Sequence, residues 1–137
     1  MYITLDTSYY IGYCIIRKKV ADIGRLFFST SEFDKQWERM KLTDEDKRLL
    51  ENIILDNPKI GRVIQGTGGL RKMRYAIECK GKSGGARVLY VDYVVFERIY
   101  LVTAYSKGVK DNISQLERSM YKKLIEQTEN ELRGKEK

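Results

Sequence analysis

From residue 25 onward, two hydrophobic rhythms divide the chain. Arg25 to Thr30 (RLFFST) is a short apolar run that predicts a strand. Ser29-Thr-Ser-Glu32 then has the spacing of a capping box, with Phe33, Trp37 and Met40 following at helical intervals. Thr43, with acids at 44–46, opens a second helix whose inner stripe reads as Leu49, Leu50, Ile53 and Ile54. That helix must stop before Pro58, because the residue preceding a proline is pushed out of the helical region.

After Gly61 the period shortens to two. Met73, Tyr75 and Ile77 alternate with Lys72, Arg74 and Ala76, which predicts a strand with one wet, basic face. Ala86 to Phe96 and Ile99 to Tyr105 are β-branched and aromatic on both faces, as central strands of an antiparallel sheet would be, with a turn near Glu97-Arg98. Ser114-Gln-Leu-Glu117 has capping-box spacing and opens a last helix with Leu116, Met120, Leu124 and Ile125 expected inward. The order β-α-α-β-β-β-α describes a small α+β domain with a mostly antiparallel sheet.

Residues 1–24 do not fit this scheme. We read them as a dispensable N-terminal extension, residues 25–132 as the domain, and residues 133–137 as a tail that frays. An added strand, or a hydrophobic arm on a partner, are the other readings of the first 24 residues.

Composition narrows the class. At 137 residues the chain is one domain long and can bury a core without staples. The apolar run Tyr9 to Ile16 is far short of the ~20 residues a spanning helix needs. Arg17, Lys18 and Lys19 follow that run, the wrong order for a secretory signal. Two cysteines, Cys14 and Cys79, are too few for a disulfide framework, so the expectation is a cytoplasmic protein with no membrane contact.

The charge changes the picture more. Residues 1–59 hold 10 basic and 10 acidic side chains, and residues 111–137 hold 6 of each. The whole net charge of +7 lies in residues 60–110, where 10 Lys and Arg face 3 acids. Such a block is an electrostatic footprint for phosphate, most simply that of a nucleic acid. The alternative is a solvated basic surface. There is no histidine, which removes the commonest general base and every His-containing metal site. No cofactor or metal is implied, and any hydrolysis must use Lys, Arg, Tyr, Asp or Glu.

Two glycine-rich patches flank the basic strand, Gly66-Thr-Gly-Gly69 and Lys80-Gly-Lys-Ser-Gly-Gly85. Gly81-Lys82-Ser83 is not a P-loop, because the required earlier glycine is Ala76 and a strand follows. Gly66 and Gly68 would need a glycine at position 71 for a dinucleotide fingerprint, and that residue is Arg71. What stands is glycine backbone open to phosphate, with Lys80 and Lys82 on a loop between two strands. Arg87, inside an apolar strand, is either half-buried against an acid such as Glu78 or turned into a cleft.

Gly66-Thr-Gly-Gly-Leu-Arg-Lys72, Lys80-Gly-Lys-Ser-Gly-Gly-Ala-Arg87-Val-Leu-Tyr90 and Tyr100-Leu-Val-Thr-Ala-Tyr-Ser-Lys107 together resemble the HigB branch of the RelE/ParE toxins, from about Arg25 to Leu132. The resemblance implies a small RelE-like, microbial-ribonuclease-like fold. It implies an mRNA endoribonuclease acting in the ribosomal A site, with mRNA and the ribosome as targets and a helix-turn-helix, HigA-like antitoxin as partner.

Cleavage by the adjacent 2′-OH needs a base, cations around the phosphate and a donor for the leaving 5′-oxygen. Lysine, arginine and tyrosine can supply these where proximity shifts their pKa values. With that resemblance, Arg87 falls to the developing phosphorane charge. Lys80 and Lys82 hold flanking phosphates, either being a candidate base. Arg71, Lys72 and Arg74 grip the RNA backbone, and Lys107 with Tyr105 closes the site from the last strand. The competing class is a binder without chemistry: a ParE-like toxin that poisons DNA gyrase, or a basic RNA-binding module.

Overall fold

The computed structural model describes residues 25–76, 85–108 and 112–136. The expectations for residues 1–24, Ile77, Cys79, Lys80 and Lys82 lie outside the described residues. Among the described residues the elements are β1 (Leu26–Ser29), α1 (Ser31–Arg39), α2 (Asp44–Asp56), β2 (Arg62–Val63), β3 (Arg71–Tyr75), β4 (Ala86–Tyr93), β5 (Arg98–Ser106) and α3 (Gln115–Glu136). They build an α+β fold on a five-stranded mixed sheet in the order β1-β5-β4-β3-β2. The β1–β5 pair is parallel and the other three are antiparallel. The expected order holds apart from the two-residue strand β2, too short to leave a periodic signal.

β4 and β5 are central because their side chains can be buried on both faces. Val88 and Tyr90 pack with Phe27, Ile99 and Leu101 beneath α1 and α2. Leu89, Val91 and Tyr93 pack with Val102, Ile125 and Leu132 beneath α3. A register shift at Leu89/Tyr90 leaves Val102 between Leu101 and Thr103, the paired positions of β5. β4 ends at Tyr93 rather than running to Phe96. Val94–Phe96 is a single 3₁₀ turn that closes on Glu97 in the left-handed region at φ 54°, where the turn was expected.

Three local expectations are corrected. The first helix is capped by Thr30, whose hydroxyl accepts from the Phe33 N–H at 3.0 Å and donates to the Val102 carbonyl at 2.7 Å. Ser29 cannot cap, because it is still paired to Leu101 in the sheet. Its buried hydroxyl instead donates to Asp34 and accepts from the Lys47 ammonium at 3.0 Å. Thr43 opens α2 as expected, and its side chain and that of Asp46 close a capping box. Yet α2 turns Lys47, Leu50, Glu51 and Ile54 inward and leaves Leu49 and Ile53 exposed. Positions 49/53 and 50/54 are equally periodic, and Lys47 reaching Ser29 and Asp34 selects the second row.

The same choice arises in α3. The Ser114–Glu117 box is present, with the Ser114 N–H donating to Glu117 at 2.8 Å. Leu116, Met120 and Leu124 are exposed, however, and the buried row is Tyr121, Ile125, Thr128 and Leu132, with Tyr121 and Thr128 half-buried. Polar Thr128 fits there because Tyr93 is its hydrogen-bonding neighbour, and the Tyr93 hydroxyl donates to the Ile125 carbonyl at 3.0 Å. Burial holds the Tyr93 phenol well above its ordinary value of 10.0. Above pH 10 the unfolded chain therefore loses this proton while the folded one keeps it, and stability falls as pH rises. Tyr93→Phe should flatten that decline in urea melts between pH 9 and about 11, while costing about 1 kcal/mol at pH 7 for the lost hydrogen bond.

Candidate functional site

The site is built by strand register. In an antiparallel sheet, paired residues share a face and positions two apart along a strand join them. Arg62 pairs with Lys72, and Lys72 with Leu89. Two residues along, Arg74 pairs with Arg87 and Arg87 with Tyr105. Arg62, Lys72, Arg74, Arg87 and Tyr105 therefore stand on one face of the sheet, the face that α3 covers further along. Lys72 reaches the approach to α3, its ammonium donating to the Asn112 side-chain oxygen at 3.0 Å.

A cavity of about 510 Å³ opens here, lined by Ile60, Arg62, Lys72, Met73, Arg74 and Arg87. Four of the six are cations and none is an acid. Asp92, the nearest acid along β4, is held at the far end of the strand by Arg25 through contacts of 2.9 and 3.2 Å. The arginines of β3 and β4 are paired in register on the cavity wall, where two guanidiniums can hold one phosphate between them.

The remaining candidates divide. Lys107 lies just beyond β5, exposed, its N–H meeting the Gly85 carbonyl at 3.4 Å, so it borders the entrance to β4. Tyr105 is only 6% exposed and packs in the core beneath α3, which makes it a floor rather than a rim. Arg71 is not brought to this face. It pairs with Tyr90, whose ring lies in the opposite core, and its guanidinium donates to the Gly61 carbonyl at 2.7 Å. The Gly66–Gly69 patch is a turn with structural work: Thr67 is fully buried, donating to the Ile64 carbonyl and accepting from the Leu70 N–H. Gly66, Gly68 and Gly69 all take positive φ, so these glycines close the β2–β3 hairpin.

Arg62 and Ile60 escaped the sequence reading. The signal was the GTGG turn itself, which makes the segments on either side a hairpin and sets Arg62 beside Lys72. Among the described residues, no group of three or more His, Cys, Asp or Glu side chains is placed to hold a metal ion. No described helix is long and apolar enough to cross a membrane. Compared with known protein families, residues 25–135 match the RelE toxin of the RelE/RelB toxin–antitoxin system.

Proposed function

The chain belongs to the RelE toxin family, the toxin half of a toxin–antitoxin pair whose partner is an antitoxin, and on that premise we propose that it is a cytoplasmic mRNA endoribonuclease of HigB-like type. It cuts ribosome-bound mRNA without a metal ion and is neutralised by a helix-turn-helix, HigA-like antitoxin. The observation that carries this reading is the grouping of Arg62, Lys72, Arg74 and Arg87 on the wall of one cavity, with Arg74 and Arg87 paired in register. Guanidiniums and an ammonium so grouped suit a phosphodiester, whose oxygens accept charge-assisted hydrogen bonds.

The 2′-oxygen attacks phosphorus, the bond to the 5′-oxygen breaks, and the products end in a 2′,3′-cyclic phosphate and a 5′-hydroxyl. The 2′-OH proton passes to a base and the leaving oxygen takes one from an acid. Arg87, half-buried on a central strand, faces the charge that grows on the phosphorane. Exposed Arg74 with Arg62 and Lys72 binds the backbone on either side. Tyr105 underlies the site, Lys107 closes it from just beyond β5, and we assign Lys80 and Lys82 to its remaining cations.

Induction alone should arrest growth, with amino-acid incorporation falling before DNA synthesis does. Co-expression of the adjacent antitoxin gene should restore growth. Normal growth despite abundant soluble protein would contradict the proposal.

A further inference from the structure

The cavity wall contains two apolar side chains that a phosphate track does not need. Ile60 is 43% exposed, and Met73, although mostly buried, also reaches the cavity. Their placement follows from where β2 stops. Arg62 pairs with Lys72, so continuing that register would set Ile60 opposite Arg74. The chain peels away instead, and the gap it leaves is the cavity.

Three contacts fix the peeled segment. The Ile60 N–H donates to the Asn57 carbonyl at 2.9 Å. The Gly61 N–H donates to the Tyr90 hydroxyl at 2.9 Å, and the Gly61 carbonyl accepts from Arg71. A Cβ on Gly61 would lie 2.9 Å from the Tyr90 ring, so glycine is required for this close approach. Opposite, the outer edge of β3 at Met73–Arg74 has no strand partner among the described residues. Its main-chain donors and acceptors border the gap.

We propose that this gap is a nucleobase subsite: the base of the nucleotide next to the phosphate between Arg74 and Arg87 lies against Ile60 and Met73, its edge toward the open main chain of β3. A base has an apolar π-face that apolar side chains cover and polar edges that backbone groups meet. The volume lies within the roughly 300–1,000 Å³ usual for small-molecule sites. Arg71 acts here as a positioning residue, holding the wall that carries Ile60. The inference rests on the RNA reading above and adds a base contact to it.

Titrations of the full chain by NMR with the four nucleoside 5′-monophosphates and with ribose 5-phosphate, at matched ionic strength, test it. At least one nucleotide should bind about fivefold more tightly than ribose 5-phosphate, the lower end of what base stacking contributes. Ile60→Ala should bring that ratio close to one and leave ribose 5-phosphate binding unchanged. Arg87→Ala should weaken both ligands together. Equal binding of nucleotide and sugar phosphate, or a ratio that Ile60→Ala does not alter, would overturn the base subsite and leave a phosphate site standing. Failure of the wild-type chain to bind either ligand would overturn the subsite and the RNA reading together.

Discussion

Arg87→Ala should cut mRNA on the order of 10²–10³ times more slowly than wild type, the loss typical when one preorganised charge stabiliser is removed. Its guanidinium is held on a central strand flanked by β3 and β5, and its planar fork suits a phosphorane with several charged oxygens. Ribosome or RNA binding should weaken far less, because Arg62, Lys72 and Arg74 line the same cavity. A structural role for Arg87 gives a different pattern: early melting, with binding and cleavage lost together. Single-turnover cleavage of ribosome-bound mRNA, measured beside a thermal melt, separates the two. A folded Arg87→Ala protein that cuts at the wild-type rate would remove Arg87 from the mechanism.

Gly85→Ala should be the most damaging single-methyl change near the site. Gly85 sits at φ +61°, where an L-residue costs roughly 1–2 kcal/mol. Its added Cβ would also overlap the Tyr75 carbonyl oxygen and come within 3.2 Å of the Ala76 Cα, both backbone atoms that cannot swing aside. Forcing β3 and β4 apart there adds about 1–3 kcal/mol. The total should lower the melting midpoint by roughly 10 °C or more. It should also disturb Arg87, two residues on, so activity should fall even where the protein remains folded. A melting curve superimposable on wild type would show that the strands part at little cost.

The sequence was most readable where chemistry and periodicity agreed. Strand β3 could be traced from its alternation, β4 and β5 from their β-branched and aromatic runs, the start of α2 from Thr43 and the acids after it, and the Ser114 cap from box spacing, because those signals are local. The inward faces of α2 and α3 could not. Each helix carries two adjacent apolar rows, and the choice between them was made by polar contacts from elsewhere: Lys47 with Ser29 and Asp34, and Tyr93 with the Ile125 carbonyl.

For the site, alternation alone placed Lys72 and Arg74 on the wet face, and the register then set Arg74 against Arg87. The same alternation carries Arg71 to the opposite face, where it supports Gly61, so grouping it with its neighbours by charge overlooked the pleat. Arg62 and Ile60 lacked any local pattern, since a two-residue strand is defined by its partner and not by its own sequence.

Chemical cleavage of mRNA by the chain's own side chains would be recorded in the ends of the product. Purified toxin should be mixed with programmed ribosomes whose integrity in excess chelator has been verified, and the mRNA fragments analysed by mass spectrometry. One principal cut is expected, leaving a 2′,3′-cyclic phosphate and a 5′-hydroxyl and undiminished by the chelator. Intact mRNA under these conditions, or cleavage that requires a divalent ion and leaves a 5′-phosphate, would contradict it.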